Sequence, residues 1–156
     1  MSAWRYSVLP LTSLSWLSVD EAERHCIAGA SVWDRFSSDG GVNPDVVLVG
    51  CGVEVTFEVI AAAAMLRNNG IRVRVVNIND LLILGATGVH PHALTGDAFE
   101  SLFTADKPVI VNFHGFPKDI KGLLFSRNTH VGRSRVSDSL ASDRVRDLIL
   151  YESLTS

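Results

Sequence analysis

The chain is short of the features that mark secreted, membrane-spanning or nucleic-acid-binding proteins. It has two cysteines in 156 residues, Cys26 and Cys51. Two do not make a disulfide framework, so a reduced, cytoplasmic setting is expected. No apolar run reaches the roughly 18 residues of a transmembrane helix, and no membrane partner is expected. Residues 1–17 carry Arg5 and some leucines, but Trp4, Tyr6, Pro10 and several hydroxyl side chains interrupt any signal-peptide core. Fourteen lysines and arginines stand against 17 acidic residues, a net charge of −3. That leaves no basic excess for a nucleic-acid footprint. Trp4, Trp16 and Trp33 are accordingly read as packing residues rather than base-stacking ones.

What is present is apolar and ordered into alternating elements. Hydrophobic residues make up 47% of the chain, enough for one domain with a real core. Residues 1–17 read as an extended lead-in. Ser18 and Glu21 form a capping-box pattern that opens a helix running to about Phe36, with Ala22, Cys26, Gly29/Ala30 and Trp33 on one face. Asp45 to Val49 is a continuous apolar run, as in a strand covered on both faces. The turn Gly50-Cys51-Gly52 leads into a helix from Glu54 or Thr56 to Asn69, with Phe57, Ile60, Ala61, Ala64 and Met65 on its packing side. The next strand is Ile71 to Asn77, and its arginines, Arg72 and Arg74, suggest an exposed face or a position near an edge. Asp80 caps a short turn over Leu81 to Leu84, and Gly85 to Leu94 reads as a loop. Thr95 caps a short helix with Phe99, Leu102 and Phe103. A strand over Val109 to Asn112 and a helix from Pro117 to about Phe125 complete the pattern. Strands alternating with helices predict a doubly wound, mostly parallel α/β sheet over residues 18–126. Residues 127–156 form a polar, divergent tail with a helix expected over 142–154.

Ligands in such sheets bind beyond the carboxyl ends of the strands. The residues at that end are Thr56, Asp80, His114 and Gly115. They are the candidates for an anionic metabolite or nucleotide held by a stand-alone regulatory module. The Gly50-Cys51-Gly52 turn lacks the third glycine of a dinucleotide fingerprint, and Glu54 opposes a phosphate. Cys51 is either a nucleophile at a helix start, with His114 as its base, or a small buried side chain. His90-Pro91-His92 places two imidazoles in one loop, but a metal needs a third ligand. His25, His114 and His130 are distant in sequence, so no metal site is expected.

Several motifs together resemble one family. They are Asp20-Glu21-Ala22 with His25-Cys26 and Gly29-Ala30, Pro44-Asp45-Val46-Val47-Leu48, and Val73-Arg74-Val75-Val76-Asn77 with Asp80-Leu81. To these are added His90-Pro91-His92-Ala93-Leu94, Phe103-Thr104-Ala105-Asp106-Lys107-Pro108 and Phe113-His114-Gly115-Phe116-Pro117. The segment from about Trp16 to Phe125 resembles the C-terminal domain of the phosphoketolases, an aldehyde-lyase family of carbohydrate metabolism. The resemblance implies a transketolase C-terminal-like fold. It implies a parent enzyme that uses thiamine diphosphate and a divalent metal, held by two preceding domains, to split a ketose phosphate with phosphate into acetyl phosphate and an aldose phosphate. The sequence has no Gly-Asp-Gly metal–diphosphate motif and no glutamate that matches the cofactor-activating one, so no catalytic residue carries over. The expected partners are therefore the thiamine-diphosphate-binding domains. The family pattern also places a glycine- and threonine-rich segment, a strand and a final helix after residue 126. Residues 128–156 show none of these, as a truncated or frame-shifted fragment would. The expectation is a sheet incomplete at its C-terminal side, with an exposed apolar edge and self-association through it.

Overall fold

The computed structural model describes residues 17–113 and 115–130. Residues 1–16 and 131–156, with most of the expected lead-in and the expected tail helix, lie outside the described residues. Ser18 caps the first helix, α1 (Val19–Ala28), with the expected capping box. The helix ends eight residues before the predicted Phe36. Gly29 takes a left-handed conformation at φ 77°, its N–H bonds the His25 carbonyl, and the chain turns into a short strand, β1 (Ala30–Val32). A Cβ at Gly29 would stand 2.7 Å from Ile83 Cγ2, so neighbouring packing requires glycine there as well. The buried position on α1 is His25, while Cys26 is exposed, which corrects the expected apolar face.

The remaining elements follow the expected order: β2 (Val46–Cys51), α2 (Val53–Asn68), β3 (Val73–Ile78), a 3-10 turn (Leu81–Leu84), α3 (Gly96–Phe103), β4 (Val109–Phe113) and α4 (Pro117–His130). Side chains of Asp80 and Thr95 accept from the N–H groups of Leu82 and Ala98, as predicted for caps. The sheet order is β1-β3-β2-β4. β3 and β4 both pair parallel to β2, and β1 pairs antiparallel to β3. β1 is the element that sequence periodicity missed, because three residues are too few to show a period.

Helices cover both faces. On one face Val46, Leu48, Val73 and Val75 pack with Trp33 and with Val59 and Ala63 of α2. On the other, Val47, Val49, Val76 and Ile78 meet Ile83, Leu84, Phe99 and Phe103. Every residue of β2 and β3 is buried. Each fully buried valine in these strands contributes on the order of 1.5–3 kcal/mol of apolar burial.

β3 is an interior strand, so its arginines do not mark an edge. Arg72 lies before the strand and is exposed, bound through two nitrogens to Asp45. Arg74 is inside the protein. Its guanidinium donates to Asp39 Oδ2 at 2.8 Å and to the carbonyls of Ser101 and Val42 at 2.8 and 3.0 Å. A buried charge needs this full set of partners.

The packing face of α2 also differs from the expectation. Val55, Thr56, Val59 and Ala63 are buried, whereas Phe57 is 48% and Met65 68% exposed. The helix is apolar nearly all round, so hydrophobic periodicity selects no face. Polar contacts of Thr56 select it, as described next.

Candidate functional site

β2 sends its helix to one side of the sheet and β4 lies on its other side, so the topological switch point falls between the carboxyl ends of β2 and β4. Cys51 pairs in register with Phe113 there. Gly52 opens α2 at φ 120° without a side-chain cap, and Glu54 sits in the first helical turn. A carboxylate at that position favours the helix dipole and repels an anion. Gly115 follows β4, and a Cβ at that position would collide with the Phe113 ring. His114 lies outside the described residues.

Thr56 does not face an open crevice. It is 3% exposed. Its hydroxyl accepts from Asn77 Nδ2 at 2.8 Å and donates to the Gly52 carbonyl. Asn77 Nδ2 also donates to the Gly50 carbonyl at 3.2 Å. Asn77 Oδ1 lies 2.9 Å from His25 Nε2, and His25 Nδ1 lies 2.7 Å from Ser31 Oγ. The chain Ser31–His25–Asn77–Thr56 thus links β1, α1, β3 and α2 in one buried polar network. Asn77 Oδ1 can only accept, so His25 carries its proton on Nε2 and accepts the Ser31 hydroxyl at Nδ1. Burial pushes the His25 imidazole below its ordinary pKa of 6.5, and the Asn77 contact opposes this in part. Gly50 is required by the same arrangement, since a Cβ would stand 2.8 Å from Thr56 Oγ1 and 3.1 Å from Thr56 Cα.

The sequence points to Thr56 as a ligand-site residue but not to its buried partner Asn77, nor to His25, which bonds Asn77 in turn. The signal was an asparagine closing a run of buried valines, which demands a polar partner. A groove of about 510 Å³ runs beside this network along α1 and β1, with Arg24, His25, Trp33 and Arg35 in its wall.

Cys51 is buried, and burial pushes its thiol pKa up. That is the environment of an inert thiol rather than a nucleophile.

Asp80 stands at the carboxyl end of β3. Oδ1 accepts from Leu82 N–H at 2.9 Å, and Oδ2 lies 3.8 Å from His92 Nδ1. The His90 and His92 rings meet edge to face at 5.4 Å between centroids. One donor atom from each of Asp80, His90 and His92 falls within 4.8 Å of the others. The third donor that sequence spacing did not supply to His90 and His92 therefore comes from Asp80. Thr56 and Asp80, expected together, serve separate clusters.

Among the described residues, no helix is long and apolar enough to cross a membrane. A mostly parallel four-stranded sheet with helices on both faces, and a carboxyl edge built from polar caps, defines an α/β domain of the transketolase C-terminal-like class. The family model described as the XFP C-terminal domain matches residues 11–137. Over 115 residues the chain is 52% identical to a probable phosphoketolase of Schizosaccharomyces pombe, covering 72% of this chain and 14% of the relative. A probable phosphoketolase of Synechococcus elongatus is 45% identical over 119 residues, 75% of this chain and 15% of the relative. One of Mesorhizobium japonicum is 46% identical over 120 residues, 76% and 15% respectively. The chain belongs to the XFP C-terminal domain family. It spans about 14–15% of the length of these curated relatives.

Proposed function

We propose that this chain acts as the C-terminal domain of a phosphoketolase. On this reading it is inactive alone and contributes an interface to the larger enzyme, whose reaction turns a ketose phosphate and phosphate into acetyl phosphate and an aldose phosphate. The observation that carries the reading is the outer side of α2. Val53, Ala61 and Met65 lie there, spaced by multiples of four residues, and are exposed, with Val53 at 70%. A helix apolar on both sides belongs between two packed layers, and the described residues supply one. The chain matches a small part of much longer relatives, so the rest of such a polypeptide is the natural cover for this stripe.

β4, at the end of the sheet, offers a second such surface. Its outer edge pairs with no strand among the described residues, and Ile110, Val111 and Phe113 are half-buried. Without its partner domains the chain is expected to self-associate through this edge and the α2 stripe.

Thiamine diphosphate and its divalent ion belong, on this reading, to the partner domains. The sequence has no Gly-Asp-Gly motif. The Asp80–His90–His92 cluster offers two nitrogen donors, unsuited to a magnesium ion that prefers oxygen ligands and substrate phosphates.

The test is an acetyl phosphate assay of the full 156-residue chain with thiamine diphosphate, magnesium, xylulose 5-phosphate and phosphate. No turnover is expected. Sustained turnover contradicts the reading.

A further inference from the structure

We propose that Asp80, His90 and His92 form a binding site for a borderline divalent transition-metal ion, with Zn²⁺ as the best fit. The proposal stands apart from the phosphoketolase reading and rests on the placement of the three side chains.

The loop that carries the histidines is fixed at several points. Leu94 N–H donates to the Ile83 carbonyl at 3.0 Å, and Thr87 Oγ1 donates to the Leu94 carbonyl at 3.1 Å. Thr87 and His90 form a β-bridge, and Ala86 is fully buried. These contacts return the loop to the 3-10 turn and set His90 and His92 beside Asp80. The aspartate divides its oxygens between two tasks. Oδ1 holds the Leu82 amide, which orients the carboxylate, and Oδ2 faces His92. A ligand carboxylate held by a backbone amide is the usual outer support of a metal site.

Two imidazoles and a carboxylate suit zinc, which takes nitrogen and oxygen donors at about 2.0–2.1 Å in tetrahedral sites. Such a site separates its ligand atoms by roughly 3.4 Å. The donors here lie within 4.8 Å, so rotations of half-buried and exposed side chains close the gap. His90 Nδ1 accepts from His92 N–H at a long 3.2 Å in an exposed setting. A metal at Nδ1 replaces that bond while water takes the amide. A metal at Nε2 instead moves the ring proton to Nδ1, and the same weak bond is released. Either way the loss is small, because the amide is open to solvent. Three protein ligands leave a position for water or for another oxygen or nitrogen donor. The bound ion would clasp the 85–94 loop to the end of β3.

The test is zinc titration of the metal-stripped full chain by calorimetry, in a Cys26→Ser background that removes the exposed thiol. Cobalt substitution adds a spectrum that distinguishes nitrogen and oxygen ligands from sulfur. One zinc per chain is expected, with slower protease cleavage in the 85–94 loop when it is bound. Each of Asp80→Asn, His90→Gln and His92→Gln should weaken binding by roughly tenfold or more. Asp80→Asn retains an oxygen for the Leu82 amide, so the cap survives. No stoichiometric binding by the Cys26→Ser chain overturns the proposal. So does binding that all three ligand variants retain, or a cobalt spectrum showing sulfur ligation.

Discussion

Two regions of this molecule are built differently. On the β1–β3 side polar groups are inside and satisfied. Arg74 is enclosed by Asp39 and two carbonyls, and Ser31, His25, Asn77 and Thr56 form a closed chain. On the outer face of α2 and at the β4 end of the sheet the described surface is apolar. Val53, Phe57 and Met65 face outward on α2, and β4 ends the sheet with half-buried apolar residues. The first side is self-sufficient and holds the fold. The second has the composition of an interior at positions exposed among the described residues. If the second region is the proposed interface, stability and interface function are separable, and substitutions should distinguish them.

The largest effect is expected at the enclosed ion pair. Asp39→Ala leaves the Arg74 guanidinium with two carbonyls and no counter-charge, and should cost about 3–5 kcal/mol in denaturant unfolding. A loss near zero would mean that water reaches Arg74 and that this side is less closed than described. Asn77→Ala is next. It removes the acceptor for His25 and the donor to Gly50 and Thr56, and should cost on the order of 1–3 kcal/mol by the same measurement.

A smaller effect is tied to pH. The folded protein holds His25 below its unfolded value of 6.5. Its contribution to stability is full above that pH. As pH falls below it, the unfolded chain takes up a proton that the folded one refuses, and stability declines until the lower folded value is reached. Unfolding curves between pH 8 and 5 should show this slope, and His25→Gln should flatten it. An unchanged slope in the variant would place the proton uptake elsewhere.

The smallest change in stability is expected on the apolar surface of α2. Val53→Ser with Met65→Ser should alter the unfolding free energy of the monomer by about 0.5 kcal/mol or less, as exposed positions do. The same pair should abolish self-association in sedimentation experiments. A wild-type chain that remains monomeric and unfolds cooperatively at high concentration would show that the stripe needs no cover.

Much of the fold could be read from the residues, for physical reasons that vary by element. β2 announces itself as a continuous apolar run and β3 as valines interrupted by Arg74, and Ser18, Asp80 and Thr95 cap the elements they were expected to cap. The face of α2 was not legible, because a helix apolar all round gives periodicity nothing to select. The hydrogen bond that Asn77 of β3 donates to the Thr56 hydroxyl turns that face inward. Arg74 read as an edge residue because its partner, Asp39, lies 35 positions away. The site was legible only in pieces. Asp80 and the His90–His92 pair were each visible, but their meeting depends on how the 85–94 loop folds back.

The central claim is that the apolar surface of α2 and β4 is an interface for the rest of a phosphoketolase. Its most direct test uses the Schizosaccharomyces pombe relative shortened by the segment that this chain matches. Mixed with the full 156-residue chain, it should sediment as a stoichiometric complex, and Val53→Glu with Met65→Glu in the chain should prevent it. A truncated enzyme that ignores the wild-type chain, or binds the double variant equally well, would contradict the account.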